Sequence, residues 1–512
     1  MSNDPSYGDP SHSANAPQGP GPSHSGPLYL EPRLAPRAAA LLTSPALLHT
    51  LVDALGSPLN VILPDQIADN VRAFRAVFAR HRLSGRVFYA HKANRSSALV
   101  RRLTTTGAAL DAASLTELRH ALGSGFTGAE VMATGPKDPE FLWLAARSGT
   151  LVNADGPDEL EQAAALVRAH GLPRLRVLVR LSGFEAPGAR RLSRRSRFGT
   201  SVKSLHQLLE VLDRHRAHLE PVGVGYHLDT TSVEEKAAAL EGCLHAMEEL
   251  RVRGFHPEAI DVGGGFGVSY LAHAAQWERY TTELTRAVAG ARPPLAWGGH
   301  GYGLRAENGT LRGALGLYPA HRPTAGPGYL DELLSHPAPG LGRPLGTLLL
   351  EGLHQLYAEP GRALADQCGL TLGRVLEVRP SDSGGPPLVR LAMNAGDVAL
   401  EDHGVLVDPV VLPRPPVPAG AGAPVAVHLM GNLCLEADLI TRRAVFLPRL
   451  PRPGDLLAFA NTAGYCMDFG ATRAQGQPLA RKVAVHREGD GDWQWCLDEQ
   501  YWPLTRTGEA QG

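Results

Sequence analysis

A lysine at the end of a predicted buried strand is the first residue whose type and position could do chemistry. The run Tyr-Ala-His-Lys-Ala-Asn at residues 89–94 places Lys92 directly after that strand, in a chain with five lysines against forty-five arginines. A buried lysine has its pKa lowered by desolvation and can form a Schiff base with an aldehyde cofactor, which arginine cannot do. The alternative is a surface lysine that follows a strand.

Two further strand ends carry groups that could hold a phosphate. The seventh predicted strand is followed by Gly263, Gly264 and Gly265, where the absence of side chains lets backbone N–H groups approach an anion. The eighth strand ends at Glu359 and is followed by Arg362, whose guanidinium could donate two hydrogen bonds to phosphate oxygens. The loops after strands seven and eight are the usual phosphate site of a TIM barrel. The alternatives are a tight glycine turn and a structural Glu359–Arg362 ion pair.

The sixth predicted strand supplies an imidazole and a hydroxyl. His227 ends this strand and Thr230 follows it, so both are predicted to lie over the same barrel mouth. For a lone histidine the alternative is a core residue whose hydrogen bonds are satisfied internally.

These residues require a scaffold that gathers the ends of eight strands. Short apolar runs alternate with amphipathic segments over residues 59–362, which is typical of repeated βα units and a parallel sheet. The predicted fold class is therefore α/β, a (β/α)8 TIM barrel. The predicted strands are 87–91, 108–112, 130–134, 150–154, 176–181, 221–227, 259–262 and 348–359. The predicted helices between them include 114–122, 138–147, 157–170, 202–214 and 233–253.

The other segments predict a tail, an insertion and a second domain. Residues 1–28 are rich in Pro, Ser and Gly with almost no aliphatic content, which predicts a disordered tail. Residues 29–58 precede the barrel at 59–362 and are expected to join the second domain. The Gly-, Pro- and His-rich stretch near 293–345 is predicted to be an insertion, because the connection before strand eight is too long for one helix and a loop. Residues 363–512 predict a C-terminal antiparallel β-domain.

Composition narrows the class of partner. The net charge is -1 with acids and bases mixed, so a small-molecule substrate is expected and nucleic acid is not. The five widely spaced cysteines fit neither a disulfide framework nor a CxxC metal site, so no metal is predicted and the cytoplasm is the expected compartment. No apolar stretch of membrane-spanning length and no secretory h-region are present, so no membrane association is expected.

The motifs occur in an order that resembles a known family. They are residues 89–94, 111–114, 196–199, 227–230, 263–265, 359–362, Cys434 and 463–465. This order resembles the fold-type III decarboxylases that depend on pyridoxal 5'-phosphate (PLP), the family of diaminopimelate, ornithine and arginine decarboxylases. The resemblance covers residues 56–485 apart from the insertion, and it implies an alanine racemase-like barrel joined to a β-domain.

The resemblance implies a role for each strand-end residue. Lys92 would carry PLP as a Schiff base, His227 would stack on the pyridine ring, and Glu359 would face the ring nitrogen. A carboxylate there keeps the pyridinium protonated and favours decarboxylation, whereas alanine racemases of this fold have an arginine at that place. The phosphate would be held by Gly263, Gly264, Gly265, Thr230, Arg362 and the phenol of Tyr465.

The resemblance also implies a shared site in a homodimer. Cys434 lies in a segment similar to the one that reaches into the partner subunit's site, where its thiol would donate a proton after carbon dioxide leaves. The alternative for Cys434 is a small buried hydrophobe. A PLP-dependent racemase or epimerase and a catalytically silent, partner-binding homologue are the alternative functions.

The substrate-facing positions depart from the well-known members. Those enzymes have an acidic residue directly after the cysteine, whereas this chain has Leu435 there and Glu436, a tentative substrate residue, one place later. Ala395 stands at the place of the aspartate that selects ornithine. These departures, and an insertion that could reshape the pocket, predict a larger or conjugated amino acid as substrate.

Overall fold

The computed structural model describes residues 26–184, 196–381, 384–414, 422–489 and 491–503. The predicted disordered tail at residues 1–28 lies outside the described residues except for residues 26–28.

Eight parallel strands form a closed barrel, which confirms the predicted fold class. Each strand pairs in parallel with the next along the chain, and the last pairs with the first. The barrel strands, one to eight, are Gly85–Ala90, Ala109–Ala112, Val131–Ala133, Leu151–Ala154, Leu175–Ser182, Leu219–Tyr226, Ala259–Asp261 and Gln355–Ala358. Their residues are mostly buried, as expected for strands covered on both faces. All eight carboxyl ends therefore open at one mouth.

Amphipathic helices surround the barrel. In Leu205–Arg214, for example, Leu205, Leu208, Leu209 and Leu212 form a buried stripe at helical spacing. A short strand, Thr200–Ser201, also pairs with barrel strand five. The helices along the barrel sequence are Pro64–Arg80, Ser97–Thr104, Leu115–Gly123, Pro139–Ser148, Pro157–Ala169, Leu205–Arg214, Val233–Val252 and Ala274–Val288.

The eighth strand is shorter than predicted. The sequence predicts one strand over 348–359, whereas Leu345–Glu351 is a helix and only Gln355–Ala358 is a strand. Leu345 and Leu349 are both buried and lie four residues apart, on one helical face. A short run of leucines satisfies both periodicities, so its sequence does not distinguish helix from strand.

The predicted insertion contains structure of its own. It comprises a 3₁₀ turn at Trp297–Gly299, an antiparallel hairpin of Leu304–Glu307 with Thr310–Gly313, and the helix Pro327–Ser335. A loop runs from the hairpin to that helix, and its residues from Leu315 onward line the barrel mouth.

The second domain is built on a mixed sheet rather than an antiparallel one. Leu59–Ile62 lies between Gly369–Arg379, to which it is antiparallel, and Arg481–His486, to which it is parallel. The predicted domain bounds assigned this strand to the barrel, but it belongs to the sheet of the second domain. The local sequence pattern does not show that an early segment pairs between two later strands. The other strands of the sheet are Leu388–Leu391, Val410–Leu412, Val425–Met430, Leu439–Leu447, Leu456–Ala460 and Gln494–Leu497.

Two N-terminal helices pack against this sheet. Pro36–Leu42 and Pro45–Leu55 bury Leu41, Leu48 and Leu51 in the same apolar cluster as sheet strands of the second domain. In the described ranges no single helix has the length and apolar character to cross a membrane, although these two helices, bent by 77° to one another, meet that test jointly.

Candidate active site

A cavity of about 780 Å³ opens at the carboxyl ends of the barrel strands. Lys92 follows strand one, His227 follows strand six, Gly264 follows strand seven and Glu359 follows strand eight, and all four line this cavity. Tyr465 of the second domain closes one side. The structure therefore brings together the residues that the sequence predicted at separate strand ends.

Lys92 lies on the 3₁₀ turn His91–Ala93 and points into the cavity. Its Nζ is 4.0 Å from Oδ2 of Asp111, a buried carboxylate at the end of strand two with no hydrogen-bond partner among the described residues. Burial alone would lower the pKa of Lys92, but Asp111 and Glu359 outweigh it and raise that pKa. The expected lowering of the lysine pKa is therefore wrong for this structure.

His227 and Glu359 form a hydrogen bond of 3.0 Å between Nδ1 and Oε2. Burial raises the pKa of Glu359, but contacts with His227 and Asp261 outweigh it and lower that pKa. The pKa of Asp261 is raised well above its usual value, first by burial and then by Glu359. Glu359 is therefore the carboxylate and Asp261 the protonated acid, because two buried carboxyl groups in contact do not both ionise readily.

The glycine run after strand seven forms a close turn beneath the cavity. Gly263 and Gly265 have positive φ angles of 62° and 83°, which side-chain-bearing residues rarely adopt. A Cβ on Gly263 would lie 2.5 Å from the carbonyl oxygen of Tyr226, and one on Gly264 would lie 3.0 Å from that of Glu359. Only glycine fits this cradle, so backbone rather than side chains faces a ligand here.

Lys236 supports this turn from below and was not anticipated from the sequence. It is fully buried on the helix Val233–Val252, and its Nζ donates hydrogen bonds to the carbonyl oxygens of Gly264 and Gly265. Burial lowers its pKa to about 7. By donating hydrogen bonds to those two carbonyl oxygens, Lys236 fixes the orientation of the turn.

Arg362 lies on the short helix Gly361–Leu364 and lines the same cavity. Its Nη1 donates to the hydroxyl of Tyr270 at 2.7 Å and to the carbonyl of Gly464 at 3.2 Å. The ring centroid of Tyr465 is 5.2 Å from the guanidinium carbon. Among the described residues, Arg362 makes no ion pair with Glu359. The alternative of a structural ion pair between these two residues is therefore not observed.

A second cavity of about 600 Å³ adjoins the first and shares Lys92 and His227 with it. Its walls include Arg180, Arg197 and Phe198, with Arg180 carrying an ion pair to Asp155 at 3.5 Å. Arg180 and Arg197 both approach the face of Phe198. The second cavity therefore gives Lys92 an opening that is flanked by Arg180 and Arg197.

Cys434 and Glu436 are not part of either cavity. Both are exposed in the loop that joins Val425–Met430 to Leu439–Leu447. The loop is shaped by Asp438, whose carboxylate accepts backbone N–H groups of Leu433 and Ala395. The alternative of a buried thiol is therefore wrong for Cys434, and in one chain neither residue contacts the groups around Lys92.

Comparison with known proteins identifies the family. Residues 64–311 match the family described as pyridoxal-dependent decarboxylase, pyridoxal binding domain. An uncharacterized protein of Sinorhizobium fredii is 32% identical over 90% of this chain and 95% of its own length. The chain belongs to the fold-type III PLP-dependent decarboxylases.

Two further relatives agree with this membership. A diaminopimelate decarboxylase of Methanothermobacter thermautotrophicus is 25% identical over 86% of this chain and 89% of its own length. The crystal structure of diaminopimelate decarboxylase from M. jannaschii matches with a TM-score of 0.67 and 19% identity, covering 88% of this chain and 91% of the other. At that identity the structural match supports the fold alone.

The residues at the mouth fit the pyridoxal-binding family. A glycine cradle, the guanidinium of Arg362, an amine, a carboxylate and the hydroxyl of Thr230 line one cavity. These groups match a phosphorylated heterocycle with an aldehyde and a basic ring nitrogen. In the described ranges no group of three or more His, Cys, Asp or Glu residues is arranged to hold a metal ion.

Proposed function

We propose that this protein is a PLP-dependent lyase that decarboxylates an amino acid. The observation that carries the proposal is that the amine of Lys92 and the carboxylate of Glu359 line one cavity together with Gly264 and Arg362. When bound, PLP supplies an aldehyde for amines and a ring that accepts the electron pair left when carbon dioxide departs.

Glu359 favours decarboxylation over racemisation. Its low pKa keeps it anionic, so it can hold a proton on a basic nitrogen placed against it. His227, bonded to Glu359, provides a flat ring beside that position. By the family resemblance, racemases of this fold have an arginine there, which cannot keep that nitrogen protonated.

Lys92 is the residue proposed to bond covalently to the cofactor. With its raised pKa, the ammonium must lose a proton before the amine can attack an aldehyde. Asp111 Oδ2 lies 4.0 Å from Lys92 Nζ, and the charges of Asp111 and Glu359 are the causes of that raised pKa. These two carboxylates therefore stabilise the ammonium form of Lys92.

Cys434 is proposed to donate a proton to the substrate carbon in the active site of a second copy of the chain. The support is that Cys434 is exposed and lies outside the cavities of its own chain, together with the family resemblance. The enzyme is accordingly proposed to act as a homodimer with shared sites, in the cytoplasm.

The proposed substrate is an amino acid larger than lysine, ornithine and diaminopimelate, or an amino-acid conjugate. Leu435 and Ala395 remove the acidic partners that would favour a second amine, and Glu436 lies on the exposed loop. Arg180 and Arg197 add positive charge beside Lys92, which favours a side chain that is not cationic.

The test is to load the purified protein with PLP and screen L- and D-amino acids for carbon dioxide and amine product. Wild type and the exposed-lysine control Lys203→Ala are expected to release both with one substrate, and Lys92→Ala is expected to release neither. The panel includes lysine, ornithine and diaminopimelate beside larger and conjugated amino acids. Activity confined to those three would contradict the proposed substrate class.

Other products would point to the alternatives. Loss of optical activity or α-proton exchange without carbon dioxide would indicate a racemase or epimerase. A protein that binds no PLP and turns over no amino acid would indicate a silent homologue acting as a binding protein.

A further inference from the structure

A second arginine stands at the phosphate end of the cavity, on the insertion. Arg322 belongs to the loop between the hairpin and the helix Pro327–Ser335, and it lines the same cavity as Arg362 and Gly265. Neither the sequence pattern nor the family motifs indicated a role for it.

The backbone at Arg322 is fixed to the loop after strand seven. Its N–H donates to Ser269 Oγ at 2.9 Å, and its carbonyl accepts a hydrogen bond from the same hydroxyl at 3.1 Å. The side chain lies against Gly267, since a Cβ there would be 3.0 Å from Arg322 Cδ. Its Nη1 is 3.3 Å from the hydroxyl oxygen of Thr231, next to Thr230. The guanidinium is therefore held between the two loops that are proposed to surround the phosphate.

Tyr318 links this arginine to Arg362. Its ring centroid is 4.6 Å from the guanidinium carbon of Arg322 and 5.5 Å from that of Arg362. The Tyr318 hydroxyl accepts the backbone N–H of Val268 at 2.7 Å, which fixes the ring. One aromatic ring of the insertion thus positions two cations at the same end of the cavity.

Among the described residues, no carboxylate forms an ion pair with Arg322 or Arg362. The Nε of Arg322 is buried and makes no hydrogen bond. Two guanidiniums held against one ring, without a carboxylate partner among the described residues, favour an anion bound near them.

We infer that Arg322 is a second phosphate-binding residue, supplied by the insertion and acting with Arg362 on the phosphate of the cofactor. This inference rests on the proposed function, because it takes PLP as the ligand. A second guanidinium can add charge-assisted hydrogen bonds to phosphate oxygens that the glycine turn and Arg362 do not satisfy. The insertion is thereby part of the cofactor site.

The experiment compares PLP with pyridoxal, which lacks the phosphate, on the cofactor-free protein. Dissociation constants are measured by absorbance titration for wild type, Arg322→Gln and Arg322→Lys. Arg322→Gln is expected to weaken PLP about tenfold or more and to change pyridoxal affinity less than about twofold. Arg322→Lys keeps the charge and is expected to recover part of the loss.

The matched control is Arg312→Gln, an exposed arginine on the hairpin of the same insertion. It is expected to leave both affinities unchanged. An Arg322→Gln variant with a wild-type ratio of PLP to pyridoxal affinity would overturn the inference, whether both affinities stay or fall together. Failure of wild type itself to bind PLP would instead overturn the proposed function.

Discussion

The two ends of the active-site region are built differently. At the proposed cofactor end, Lys92, Glu359 and Arg362 follow barrel strands of one chain and contact Asp111, His227 and Tyr270 respectively. The residues proposed for the substrate end, Cys434 and Glu436, are exposed on a loop of the second domain and line neither cavity of their own chain. The residues proposed to hold the cofactor thus lie together within one chain, whereas the proposed substrate end requires a second chain.

This difference separates cofactor binding from substrate turnover. Groups at strand ends are held by buried packing and close hydrogen bonds, which suits a cofactor that every substrate shares. Groups on an exposed loop can change without disturbing the barrel, which suits substrate choice. The comparison therefore predicts that substitutions at the first end affect cofactor chemistry, and those at the second affect turnover alone.

The largest effect is expected for Glu359→Gln. The amide is nearly isosteric but uncharged, so it cannot hold a proton on the ring nitrogen, and kcat is expected to fall about 1,000-fold. PLP affinity should change only a few-fold, because the phosphate groups remain. Steady-state kinetics and PLP titration measure the two effects. Glu258→Gln, an exposed residue at the opposite end of the barrel, is the control and should behave as wild type.

Cys434→Ala is expected to have the next largest effect. Loss of a proton donor should lower kcat about 100-fold and leave PLP affinity unchanged, because Cys434 is not among the groups proposed to hold the cofactor. A large loss of PLP affinity would contradict the division between the two ends.

Mixing two inactive variants sharpens the same prediction. Subunits carrying Lys92→Ala and Cys434→Ala can combine so that one of the two shared sites has both groups intact. After subunit exchange, activity should recover to about one quarter of wild type. No recovery, with mixed dimers shown by mass spectrometry, would contradict a shared site.

The smallest effect is a pH dependence that comes from Lys236. Its native pKa of about 7 lies below the unfolded value of about 10.4, so between these pH values the unfolded state binds one more proton. Stability conferred at this site therefore rises with pH across that window. From pH 7 to pH 9 wild type should gain about 2 kcal/mol relative to Lys236→Met, measured by urea unfolding of the cofactor-free protein. Lys203→Met, at an exposed position, should show no such relative gain.

Much of the barrel could be predicted from the sequence, because each strand is a local apolar run followed by a conspicuous residue. Seven of the eight predicted strands overlap observed ones closely. The strand at Gln355–Ala358 was extended wrongly into the helix Leu345–Glu351, because a leucine run satisfies both patterns. The mixed sheet could not be predicted, because the pairing of Leu59–Ile62 joins segments far apart in the chain.

The same distinction applies to the site. Lys92 and Glu359 end strands, so local pattern and family motifs indicated them. Arg322 and Lys236 carry no local signal, because their significance comes from contacts with the loop after strand seven. The pKa of Lys92 was expected to fall, since burial is visible in sequence but the neighbouring carboxylates Asp111 and Glu359 are brought close only by the fold.

The most direct test of the central claim, that the cofactor end is built around Lys92 within one chain, is the visible absorbance spectrum of the purified protein with PLP before and after borohydride. Wild type should show a band of bound PLP that reduction abolishes, and peptide mapping should place the reduced cofactor on Lys92. Lys92→Ala should lack the band, whereas Lys203→Ala should keep it. No band in wild type, or reduced cofactor attached to another lysine, would contradict the account.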